Sequence, residues 1–109
     1  MNKFEITENT KGKLVYVVDK WDEDYKWLIL ISSVTKKGNY NYVSYYISYS
    51  IKQNKWYFNG GIPSGWGSVG FWNFFEPTDD QKRLVVNKLT SLGYKYIPIL
   101  NKIVKKKYE

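Results

Sequence analysis

Residues Tyr40 to Ile51 read YNYVSYYISYSI and alternate with a period of two over all twelve positions. Val43, Tyr45, Ile47, Tyr49 and Ile51 fall on one side; Tyr40, Tyr42, Ser44, Tyr46, Ser48 and Ser50 fall on the other. Successive side chains of a strand point to opposite faces of its sheet, so this is the pattern of a half-buried antiparallel strand. Its second side is a ladder of tyrosine and serine without a single charge. Tyrosine supplies rigid contact area with a hydroxyl handle, and serine adapts to what it meets, as in antibody paratopes. Tyr40, Tyr42 and Tyr46 are therefore the first candidates for binding a partner.

Outward from this strand the chain falls into short elements. Before it, Lys36-Lys37-Gly38-Asn39 is a hairpin turn in which Gly38 and Asn39 tolerate positive φ. Before that, Tyr25–Val34 is apolar on both sides through Leu28–Ile31, which predicts a central strand covered on both faces. Lys13–Asp19 (KLVYVVD) is a further strand, entered from a lead-in over residues 1–12 and left through a polar turn carrying WDED. After it, Gln53-Asn54-Lys55 turns the chain into Lys55–Asn59, where Trp56 and Phe58 share one side. Residues 13–59 are thus expected to form a four-stranded β-meander. Residues 60–75 are a Gly/Trp-rich loop region, within which FWNFF (71–75) is apolar enough for a buried strand or turn.

Pro77 closes that region, and Thr78-Asp79-Asp80-Gln81 has the form of a capping box with two acids in the first turn. It predicts a helix over 78–92, with Leu84, Val85, Lys88, Leu89 and Leu92 on one stripe and Gly93 as its stop. Residues 94–106 return as a terminal strand or hairpin. The expectation is one α+β domain over 1–109. It consists of a twisted antiparallel sheet of five to six strands, meandering and partly barrel-like, with one C-terminal α-helix packed on it.

Composition limits the chemistry. A chain of 109 residues buries roughly 65% of its extended surface, enough for one core without staples. The 19% of aromatic residues make up for a modest hydrophobic fraction of 43%. With no cysteine and no histidine, the chain has no disulfide, no thiolate, no imidazole base and none of the common zinc ligand sets. No apolar run approaches the ~20 residues of a membrane span, and MNKFEITENTKGK lacks the apolar segment of a signal peptide. The expectation is a cytoplasmic or virion location, with no membrane and no metal. The net charge of +7, from 17 basic and 10 acidic residues, favours anionic partners.

The C-terminal third resembles a family on specific residues. The run Pro77-Thr78-x-x-Gln81-Lys82, then Lys88-Leu89, Gly93-Tyr94-Lys95-Tyr96 and Asn101 to Lys105, is similar to a module in small uncharacterised proteins of gut Bacteroidetes and their phages, crAss-like phages included. Val15–Asp19 and the region of Trp27 match an upstream strand-Asp-Trp portion of the same proteins. The chain departs from that pattern with Tyr96 where Trp is usual and with Ile97-Pro98-Ile99-Leu100 in place of a charged turn. The resemblance implies a phage or mobile-element setting and no particular activity.

Three motifs compete with the tyrosine face. Gly65-Trp66-Gly67-Ser68-Val69-Gly70 fits G-x-G-x-x-G, but a dinucleotide loop must open a helix, and FWNFFEP with Pro77 follows instead. Trp66 remains a partner-binding candidate, since an indole on a loop is a low-entropy anchor. Asp22, Glu23 and Asp24 lie side by side on a turn, where carboxylates diverge. Glu76, Asp79 and Asp80 are accounted for by the helix start. The expected function is therefore non-catalytic. It is a protein-binding or self-associating module of a phage accessory or virion protein, with Tyr40, Tyr42, Tyr46 and Trp66 as its surface and no cofactor. The alternative is a nucleic-acid or nucleotide binder, such as an inhibitor of a host defence system, using Lys26, Lys52 and Lys55 beside the stacking rings.

Overall fold

Leu28, Ile29, Leu30 and Ile31 are each at most 1% exposed. Consecutive residues of a strand face opposite ways, so the strand that holds them needs cover on both sides, and the rest of the fold supplies it. The computed structural model describes residues 5–37, 40–61, 72–97 and 102–105. Strand β2 (Lys26–Lys37) is the middle strand of an open five-stranded sheet. Its order is β4-β3-β2-β1-β5, where β1 is Leu14–Asp19, β3 Tyr40–Ser50, β4 Lys55–Gly61 and β5 Trp72–Phe75. All four pairings are antiparallel. Strands β1 to β4 are the expected meander, and Trp72–Phe75 return as β5 on the far side of β1. Helix α1 (Asp79–Ser91) follows, and β6 (Tyr94–Ile97) and β7 (Lys102–Lys105) pair as a separate two-stranded ladder. The class is α+β, as expected.

Each face of the sheet has its own core. One holds Val15, Val17, Trp27, Ile29, Ile31, Val43, Trp72 and Phe74, with Trp27 and Trp72 edge to face at 5.0 Å. Ile6 packs into this core, so the lead-in is part of the fold. The other holds Leu14, Tyr16, Leu28, Leu30 and Ile47, capped by Val85 and Leu89 of α1. Each such aliphatic side chain contributes roughly 1.5–3 kcal/mol on burial, and these two leucine and valine contacts seat the helix.

Val43 and Ile47 lie in different cores, although they are four residues apart on one strand. The uninterrupted alternation expected over Tyr40–Ile51 is therefore corrected. Leu30 pairs with Ile47 but Ile31 with Tyr45, which leaves Tyr46 as an extra residue on β3. Ile31 pairs with Tyr45 but Ser33 with Ser44, which leaves Ser32 as an extra residue on β2. One bulge on each strand restores the pairing while reversing which parity faces which core. The serines move accordingly. Ser48 and Ser50, expected outward beside the tyrosines, are buried, and Ser50 Oγ accepts the Gln53 N–H at 3.2 Å to fix the next turn. Ile51, expected inward, stands exposed on that turn.

The helix starts as its capping box predicts. Thr78 Oγ1 accepts from Gln81 N at 3.2 Å, and Gln81 Oε1 accepts from Thr78 N at 2.9 Å. Gly93 takes the left-handed stop with φ 87°. The buried stripe is narrower than expected: Val85 and Leu89 are buried, whereas Leu84 and Leu92 are exposed. Glu76 ties the helix entrance to the sheet through Lys13 at 3.3 Å and Lys82 at 3.1 Å.

Burial pushes the Glu76 carboxyl up, but the bonds from Lys82 and Lys13 outweigh it and hold the carboxyl below its ordinary 4.5. A carboxyl lowered in the folded state stabilises the fold above its unfolded value. That contribution is lost as pH falls through the lower folded value. Urea unfolding from neutral pH to about pH 3 should show the wild type losing more stability than Glu76→Gln, with the gap closing in high salt. Parallel curves would rule out the tether. A second prediction concerns Gly60, which pairs with Tyr45. A Cβ there would stand 2.7 Å from Tyr45 Oη and 3.0 Å from Cζ, because the ring lies over the glycine. Gly60→Ala is expected to cost about 1–3 kcal/mol in urea unfolding, and less in a Tyr45→Phe background where the hydroxyl is gone.

Candidate functional site

The extra residue on β3 marks a part of the described surface where large apolar side chains gather around a hollow. Between the pairs Tyr45–Gly60 and Ile47–Phe58, Tyr46 comes opposite Asn59, whose φ of 50° kinks β4 at the same level. Asparagine is among the few residues that take this left-handed conformation readily. Helix α1 crosses above, with Leu89 in the core, and ends just beyond at Gly93, where β6 begins with Tyr94. Tyr46, Ile47, Phe58, Asn59, Leu89, Leu92 and Tyr94 together line a groove of about 390 Å³ counted out to its open mouth.

Tyr46, Phe58, Leu92 and Tyr94 keep between 36% and 50% of their surface in water, although neighbours could have covered them. Among the described residues the lining holds no charged group, and Asn59 and the two tyrosine hydroxyls are its polar side-chain functions. None of these described side chains is a carboxylate or imidazole that could serve as a general base near neutral pH. What it can do is desolvate an apolar side chain and orient it with an amide and two hydroxyls. Such a hollow is the usual receptor for an anchoring residue of a protein partner.

The sequence-predicted residues distribute unevenly around this groove. Tyr46 is in its wall. Tyr42, opposite Thr35 further along β3, is half-buried and not part of the lining. Tyr40 belongs to β3 opposite Lys37 by its backbone, and its side chain lies outside the described residues. Trp66 and the whole Gly65–Gly70 motif also lie outside them. Of the lysines, Lys26 is half-buried, while Lys52 and Lys55 are exposed on and after the turn that follows β3. Lys52 Nζ stands 4.2 Å from the centre of the Tyr25 ring, and Lys55 Nζ 5.3 Å from that of Tyr57. The groove residues Phe58, Leu92 and Tyr94 were not singled out from sequence. Phe58 and Leu92 carry a signal in hindsight, as the outermost apolar positions of their strand face and helix stripe.

The acidic turn is a backbone device. Asp19 Oδ1 accepts from Trp21 N at 2.7 Å and Asp22 N at 3.3 Å, and Asp22 Oδ1 accepts from Asp24 N at 3.0 Å. Among the described residues, no group of three or more Asp, Glu, His or Cys is placed to hold a metal ion. Among them too, no helix is long and apolar enough to cross a membrane. Comparison with family models, with curated proteins and with solved structures returns no match to this chain.

Leu89 and Leu92 test the division between core and groove. Leu89→Ala should cost about 2–5 kcal/mol in urea unfolding, as for a buried leucine. Leu92→Ala, beside water, should cost under about 1 kcal/mol. Similar losses at both positions would mean that Leu92 is core and the groove closed.

Proposed function

We propose that this protein is a non-catalytic protein-binding or assembly module that works through the groove around Tyr46. The observation that carries this reading is the convergence of Tyr46 from β3, Phe58 from β4, Leu92 from the C-cap of α1 and Tyr94 from β6, all half-exposed, on one hollow. Scattered surface hydrophobics are normal, and it is their gathering around one concavity that favours contact with a partner's side chain. The likeness of residues 77–105 to phage-associated proteins supports placing it as an accessory or virion protein of a phage or mobile element.

A second reading has one observation in its favour. Lys52 over Tyr25 and Lys55 over Tyr57 pair cations with rings, the arrangement that binds single-stranded nucleic acid, for instance in an inhibitor of a host defence system. Against it, Tyr25 directly follows Asp22, Glu23 and Asp24, so that end of the sheet has no uniformly positive field.

The test is Phe58→Ser combined with Leu92→Ser. The double variant should keep the wild-type thermal midpoint within a few degrees, since both side chains are half in water. It should lose association with whatever protein co-purifies with the wild type, or with itself. Unchanged association by a folded double variant would reject the groove. Titration with single-stranded oligonucleotides at low and high salt decides the second reading: binding that falls steeply with salt supports it, and no binding at low salt removes it.

A further inference from the structure

Trp21 is 82% exposed, far more than any other large apolar side chain among the described residues. It stands on the turn between β1 and β2, held in shape by the Asp19 and Asp22 carboxylates. The turn is closed by the Tyr25 N–H donating to Asp22 O and the Asp19 N–H donating to Tyr25 O, each at 3.0 Å. An indole presented on a preformed turn loses little conformational freedom on binding, and buried tryptophans dominate interface energetics. We propose that the groove around Tyr46 accepts Trp21 from a second copy of this chain, so that copies join head to tail. This rests on the reading of the groove as a protein-docking surface.

Charge carries the choice of occupant. Residues 19–24 hold four carboxylates against one lysine, a net charge of −3. The rest of the chain holds sixteen basic and six acidic residues, a net +10. Each described groove-lining residue comes from one of two stretches, 25–75 and 81–108, that contain no Asp or Glu at all. Lys88 lies one helical turn before Leu92, with its Nζ 5.5 Å from the centre of the Trp56 ring. A net-negative turn on a chain whose remainder is net positive is repelled by another acidic turn and attracted elsewhere, which favours turn-to-groove contact over turn-to-turn. Trp21 cannot be filling its own groove while it stands in water. The turn and the groove are different patches of one molecule, so copies can join head to tail through them, one contact at a time. Repeated, it closes a ring or extends a filament.

Sedimentation velocity over a concentration series at low and high salt tests this. The wild type should grow beyond a dimer with concentration, and less so in high salt. Trp21→Ala and the Phe58→Ser/Leu92→Ser variant should each run as monomers with unchanged circular dichroism. Mixed in equal amounts, they should form a one-to-one dimer and stop there, because one keeps the groove and the other keeps Trp21. A wild type that stays monomeric at every concentration overturns the inference. So does a Trp21→Ala variant that assembles like the wild type. If in that case the groove variant alone fails to assemble, the docking surface stands and only Trp21 as its occupant is lost. If both variants assemble normally, the groove falls with it.

Discussion

Ser32 on β2 and Tyr46 on β3 are each one residue more than their ladder needs, and the rest of the structure depends on how those two excesses cancel. A single bulge would throw every later side chain of its strand onto the wrong face. Two bulges, one on each partner, let the hydrogen-bonded pairing resume while the parity of both strands reverses together. That reversal places Val43 in one core and Ile47 in the other. It also draws Ser48 and Ser50 inward and leaves Tyr46 at the surface, beside the kink at Asn59. The candidate site is thus a by-product of how a long two-stranded ribbon changes faces.

The helix determines how far the hollow extends. Thirteen residues span about 20 Å at 1.5 Å per residue, which is less than the width of a five-stranded sheet at roughly 4.8 Å per strand plus its edge side chains. Its start is pinned by the Thr78–Gln81 box and by Glu76, and its end by Gly93, so it cannot slide to cover more. It buries Leu28, Leu30 and Ile47 and stops before Phe58 is enclosed. What remains uncovered is the strip where β4, the last helical turn and β6 meet. The buried core and the open groove are thereby set by the same fixed helix length.

Much of this architecture was legible in the residues. The meander follows from alternation and turn chemistry, and the helix from a capping box and a terminal glycine, because these are local signals with local causes. The double apolar face of Leu28–Ile31 announced a middle strand. The bulges were not legible. YNYVSYYISYSI alternates perfectly as text, and only the facing strand, with its own extra serine, makes an interruption favourable. For the same reason Tyr46 was named beside Tyr42 as one ladder, yet only Tyr46 lines the groove. Phe58, Leu92 and Tyr94 are each ordinary in their own element and become part of one hollow only through tertiary packing. Within WDED the sequence shows three acids and an indole side by side, and only the folded turn separates them, with the Asp22 carboxylate bonded to backbone and Trp21 in water.

Strand β4 is the edge of the sheet on the groove side, and edges are where proteins polymerise through their backbones. A straight, unpaired strand offers its free N–H and C=O groups to any extended chain, and stacked copies lead toward cross-β fibrils. Asn59 breaks that invitation. Its left-handed turn interrupts the straight edge midway along Lys55–Gly61, and Gly60, under the Tyr45 ring, adds a residue of low strand preference. Contacts between molecules on this side are therefore steered toward side chains, whose fit is specific and reversible, and away from main-chain pairing.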